Sequence, residues 1–138
     1  MTDFGWLDAN IFVHVLFRQD SQRARCRDIV AALRDGRGTG WLDPVVLHEL
    51  TYVVGRLRQF PDRAAVFEYL NSILALDAVK ADDKDALCET LSVWPATDGL
   101  GFADARLTVL ARRRGMSVCS ANGRDFRGIA NSFGPQAE

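Results

Sequence analysis

Short apolar runs of strand length recur along this chain, separated by longer segments of helical periodicity. They are "FGWL" from Phe4, a brief run around Trp41-Leu42, "DAVKA" from Asp77 as a weak edge strand, and "MSVCSA" from Met116. Consecutive parallel strands need a crossover of a dozen or more residues, which a helix supplies. The alternation therefore predicts an α/β domain built on a mainly parallel sheet. At 138 residues, the chain reads as one domain, 1–138, able to bury a core without disulfides or metal staples.

The helical segments carry their own boundary signals. After the first run, "IFVHVL" extends the apolar stretch too far for a single strand, so a strand, a turn at Asp8 to Asn10 and a helix are expected. In "QDSQRARCRDIVAALRDG", Asp20 or Ser21 can cap a helix whose apolar stripe is Cys26, Ile29, Val30 and Leu33, with Gly36 closing it. Asp43 is a good N-cap and Pro44 suits a first helical position, predicting a helix through "VVLHELTYVVGRLRQF". Pro61-Asp62 opens the next, "RAAVFEYLNSILAL". "DDKDALCETLSVW" reads as helix closed by Pro95, and "GLGFADARLTVLARRRG" as helix ended by Gly115. "RDFRGIANSF" runs to a ragged end, and no internal repeat or linker is expected.

Charge excludes one class of function. Seventeen basic residues oppose eighteen acidic ones, giving a formal charge of −1, so nucleic-acid binding driven by gross charge is ruled out but a local basic surface is not. Arginines cluster in "SQRARCRD", "GRLRQF" and "LARRRG", and a guanidinium fork suits phosphate. Cys26, Cys88 and Cys119 form no CxxC pair and have no histidine at zinc spacing, so buried reduced thiols are expected and a soft-metal site is disfavoured. No apolar stretch approaches membrane-spanning length and no leader precedes a cleavage site, which makes cytoplasmic residence, without a membrane, the expectation.

The acids are where chemistry is to be sought. Asp8 interrupts the apolar "WLDANIF" at the carboxyl end of the first strand, where ligands sit in open α/β sheets. A capping role for its side chain accounts for it equally well. Glu49 breaks the apolar pattern of "VVLHELTYVV", either at the helix surface or aimed inward. Asp104 falls early in the helix of "GFADARLTVL", where the helix dipole favours a carboxylate, with Arg106 or a capping amide as its partner. Asn122 and Asp125 follow the last strand in "SANGRDF", where turn chemistry alone explains either. Together, carboxylates gathered at one sheet edge without basic partners repel one another, and a hard divalent cation resolves the repulsion. Mg²⁺ and Mn²⁺ take oxygen ligands and keep waters, which suits phosphodiester hydrolysis.

The order of these motifs resembles the PIN domain family of nucleases, and more narrowly its VapC-type toxins. The resemblance rests on "LDANIF", "DPVVLHELTYVV", "GFADARLTVLARRRG" and "SANGRDF", in that order over nearly the whole chain. It implies a three-layer α/β/α domain with a central, mainly parallel sheet, and an Mg²⁺-dependent endoribonuclease with Mn²⁺ as an alternative. Asp8 and Asp104 would be direct metal ligands, Glu49 would hold a metal-bound water or a second ion, and Asn10 and Ser120 would position the cluster. Asn122 departs from the pattern, since many members carry Asp there, so either Asp125 reaches in or the site runs on three acids. A homodimer, an RNA substrate and a VapB-like antitoxin that enters the acidic groove are also implied. Arginines 18, 56, 58, 112, 113 and 114 then become candidate phosphate contacts. A silent PIN module that binds RNA or protein is the alternative. A haloacid-dehalogenase-type phosphatase ranks below both, because Asn10 stands where its second Asp is needed and Lys80 and Lys84 are poorly placed.

Overall fold

The structure is a computed structural model describing residues 1–17, 22–97, 99–121 and 132–133. The chain divides into two compact units, Met1–Lys84 and Asp85–Glu138. The first contains β1 (Thr2–Trp6), α1 (Ala9–His14), α2 (Arg23–Arg34), β2 (Gly38–Trp41), α3 (Pro44–Val54), α4 (Arg63–Leu74) and β3 (Val79–Lys80). Its sheet has the order β1-β2-β3, and both pairings are parallel. The second contains α5 (Lys84–Val93), which starts on the last residue of the first unit, a 3-10 turn at Trp94–Ala96, α6 (Phe102–Arg114), and the parallel pair β4 (Val118–Cys119) and β5 (Ser132–Phe133). The expected parallel α/β character is therefore present, with "DAVKA" supplying the edge strand β3. Among the described residues, no helix is long and apolar enough to cross a membrane.

Two glycines explain the packing at the sheet's inner face. A Cβ on Gly38 would run into the Phe4 ring, and one on Gly40 would lie 2.7–2.8 Å from the Leu7 Cγ, Cδ1 and Cδ2 atoms. Only bare backbone lets Phe4 and Leu7 of the neighbouring chain segment cross β2 so closely. Leu7, Leu42 and Val79 are buried as a result. The opposite face is open at the same strand ends. Thus β1 is not the buried strand its apolar letters predict: a register irregularity between Asp3 and Trp6 accompanies an outward turn that leaves Trp6 66% exposed.

Helix boundaries follow the capping residues. Asp43 accepts a hydrogen bond from the Val45 amide at 2.8 Å and Asp62 from the Ala65 amide at 2.9 Å, as their positions predict. Gly115 ends α6 in the left-handed conformation, φ 62°. For α2, Asp20 and Ser21 lie outside the described residues, and Gln22 occupies the N-cap without a side-chain cap bond. The helix expected to run to Phe60 stops at Val54. Past that point the Arg56 and Leu57 amides bond the carbonyls of Val53 and Val54, three residues back, so the chain tightens into turns. The cysteines also differ from expectation. Cys26 is buried, Cys88 is half-buried and Cys119 is exposed, because only Val118 of the β4 pair faces inward.

Helix α1 packs against α2 and α3, and one long-range bond ties it to α4. The Leu16 amide bonds Val13 rather than Phe12, so α1 ends without an internal donor for the Phe12 carbonyl. The Tyr69 hydroxyl supplies one at 2.5 Å. Burial pushes the Tyr69 phenol from 10.0 up to about 12, against a smaller lowering by the Arg34 charge. The contribution of this raised value is fully present below about pH 10 and is lost as pH climbs through the folded value, because the unfolded chain ionises first. Tyr69→Phe is expected to cost about 1 kcal/mol at neutral pH. It should also flatten the alkaline decline in stability, which urea midpoints of both proteins from pH 7 to pH 11 will read.

Candidate active site

The tetrapeptide Gly-Trp-Leu-Asp occurs twice, at Gly5–Asp8 and Gly40–Asp43. No repeat was expected from the sequence, yet this one ends two neighbouring strands, β1 and β2, and each copy hands its Asp to a helix N-cap. The two backbones nearly coincide, with φ −86° and ψ 154° at Asp8 and φ −83° and ψ 144° at Asp43. Their side chains do not behave alike. Asp43 caps α3 through Oδ2, whereas Asp8, which is exposed, makes no side-chain cap bond to α1. The same residue in the same setting caps a helix once and, among the described residues, once leaves its helix uncapped. That resolves the choice posed by "WLDANIF" against a capping role.

The other predicted residues are distributed as follows. Glu49 is exposed on α3, on the helix face that also carries Val45 and Tyr52. Arg56, just beyond α3, lies with its guanidinium carbon 4.1 Å from the centre of the Tyr52 ring and donates to the Tyr52 hydroxyl. Asn10 is exposed in the first turn of α1. These belong to the first unit.

In the second unit, Asp104 is half-buried in the first turn of α6. Its Oδ2 accepts from the Gly101 amide at 3.3 Å, which makes the capping amide, not Arg106, its partner. Gly101 has no side chain to return the bond, so only half of a capping box exists. Among the described residues, the buried Arg106 Nη1 has no hydrogen-bond partner. Ser120 is half-buried after β4. A hollow of about 320 Å³, lined by Leu107, Leu110, Met116, Val118 and the candidate phosphate contact Arg114 among others, contains none of the predicted carboxylates.

Several expectations lie outside the described residues, namely Asn122, Asp125 and Arg18. Of the remaining candidate phosphate contacts, Arg56, Arg58, Arg112 and Arg114 are exposed, while Arg113 pairs with Glu89 at 2.9 Å. Among the described residues, no three His, Cys, Asp or Glu side chains form a group that could hold a metal ion. In donor chemistry Asp8, Glu49 and Asp104 fit a hard divalent cation, since each offers carboxylate oxygen, and Asp104 retains Oδ1 beyond its capping bond. The sequence contained the cue most easily missed, the repeated "GWLD".

No individual curated protein matches the chain. A sequence model of the PIN domain family does match, over residues 6–132, from Trp6, two positions before the uncapped Asp8, to the first residue of β5, and the chain therefore belongs to the PIN domain family, a nuclease fold.

Proposed function

We propose that this protein is a metal-dependent endoribonuclease that hydrolyses RNA phosphodiester bonds, acting as one domain over residues 1–138 and as the toxin of a toxin–antitoxin pair. The single observation that carries the reading is the uncapped Asp8 beside its capping twin Asp43, in a family whose members are generally nucleases. A carboxylate that makes no cap bond at the carboxyl end of a parallel strand is available to a ligand.

Asp8 and Asp104 would hold Mg²⁺ or Mn²⁺, with Glu49 on a metal-bound water or second ion. The bound ion supplies Lewis acidity and an activated water for attack on phosphorus. The protein's own groups do the rest. Asp8 would offer its carboxylate, Asp104 would offer Oδ1 while Oδ2 stays on the Gly101 amide, and Asn10 and Ser120 would position them. Asn122 or Asp125 fills the fourth position. The exposed arginines 56, 58, 112 and 114 take phosphates along the strand, each contact strengthening binding without selecting sequence. A cytoplasmic homodimer restrained by a VapB-like antitoxin completes the proposal.

Purified protein is expected to cut total cellular RNA at discrete positions with Mg²⁺ or Mn²⁺ and to stop in EDTA. Cuts that persist in EDTA would overturn metal dependence. Binding of RNA with no cleavage in either metal would favour the silent module, a reading supported by the neutral Asn122 in place of an acid.

A further inference from the structure

The repeat that frees Asp8 also builds a surface. Trp6 of β1 pairs in register with Trp41 of β2, and Trp41 with Lys80 of β3. Residues paired across a parallel ladder share a face, so two indoles and an ammonium stand in one row across the whole three-stranded sheet. All three are exposed, with Trp6 at 66% and Trp41 at 39%. The rings lie 5.8 Å apart between centroids and are tilted by 50°, a splayed pair and not a closed stack. An indole is a large apolar body that folding ordinarily covers. Here the opposite face of the same strand ends is filled by Leu7, Leu42 and Val79, so there is no room inward. The row sits at the carboxyl edge, and extended backbone carries β1 from Trp6 through Leu7 to Asp8.

We propose that Trp6, Trp41 and Lys80 form a stacking platform for unpaired bases of the RNA strand that the site cuts. Open aromatic faces bind single-stranded nucleic acid because every base presents a π-face, and a neighbouring cation holds the backbone. The cationic end of the row, together with Arg56 exposed nearby in sequence to the Glu49 helix, suits a polyanion better than an apolar protein partner. The bases of a duplex are already stacked and are closed to such a platform. The site therefore selects unpaired segments, loops or ends. This inference rests on the nuclease reading and adds to it the residues that hold the unpaired bases.

Fluorescence tests it directly on the full chain. Of the three tryptophans, Trp94 is buried at 5% exposure, so quenching by a ligand reports Trp6 and Trp41. A short single-stranded RNA, titrated in EDTA to keep it intact, should quench, and the duplex made with its complement should not. Trp6→Ala and Trp41→Ala should each weaken single-strand binding by about 5- to 100-fold and raise KM more than they lower kcat. Trp6→Phe and Trp41→Phe, which keep an aromatic face and guard against misfolding, should retain most of the affinity. Wild-type affinity in both Ala variants, or equal quenching by the duplex, would overturn the platform while leaving the nuclease intact. So would Ala variants that change only oligomeric state on sedimentation, since the indoles would then serve a protein interface. A wild-type protein that neither binds nor cleaves RNA would remove the nuclease reading and the platform together.

Discussion

Asp8→Ala will remove cleavage without unfolding the protein, and Asp104→Ala will remove cleavage and loosen the fold. The contrast follows from what each carboxylate holds. Asp8 is exposed and makes no capping bond, so its loss should shift stability by less than about 0.5 kcal/mol. Asp104 sits in the first turn of α6 and accepts from the Gly101 amide. That bond, long at 3.3 Å, and the favourable helix-dipole position together contribute about 1 kcal/mol. On the proposed chemistry, either loss removes a negative group from the reacting centre and should lower kcat by about 100-fold or more. Calorimetry and RNA cleavage on the same preparations will read both columns of the comparison. Asp43→Ala is the internal control: the twin carboxylate should cost about 1 kcal/mol through its lost cap and should leave a measurable nuclease. If Asp8→Ala destabilises as much as Asp43→Ala, the uncapped reading of Asp8 fails.

What the sequence made legible was mainly local. Asp43, Asp62 and Gly115 announce helix boundaries because caps are short-range bonds between a side chain or turn and its own neighbours. The parallel pairing was legible from alternation, because strands separated by helices have few other solutions. The end of α3 was not. Leu57 and Phe60 continue the apolar spacing, but the switch from four-residue to three-residue bonds at Arg56 and Leu57 is a backbone event with no letter of its own. The outward face of β1 escaped for a related reason. Apolar letters report burial only when the register is regular, and β1 shifts register between Asp3 and Trp6.

The site divides in the same way. Asp8 was legible as an anomaly, an acid in an apolar run, but its two readings separated only when the side-chain bond of Asp43 was set beside the missing bond of Asp8. For Asp104 the capping amide prevailed over Arg106, because a first-turn carboxylate lies over the amide of its own N-cap. The Tyr69 contact had no sequence signal at all. It joins residues 57 positions apart, and nothing in "VFEYLN" names the carbonyl it serves.

Phe12 should prove the most expensive side chain to remove in the first unit. It is fully buried, at 0% exposure, on a helix of only six residues. So short a helix has little stability of its own and persists through what it packs against. α1 meets α2 and α3, and its carbonyl end is held by Tyr69 of α4, so the Phe12 ring is the apolar counterpart of that polar tie. Phe12→Ala is expected to cost about 3–5 kcal/mol, a large share of the roughly 5–15 kcal/mol available to a domain. Phe12→Leu keeps most of the buried area and should lose far less. Urea midpoints of the two variants will decide. If Phe12→Ala costs no more than Tyr69→Phe, then α1 is held by its hydrogen bond and not by its core contact. Because Asp8 directly precedes α1, the same experiment has a functional reading. Cleavage by Phe12→Leu should fall less than its Ala counterpart even at temperatures where both remain folded, since the ring fixes the helix from which the uncapped carboxylate projects.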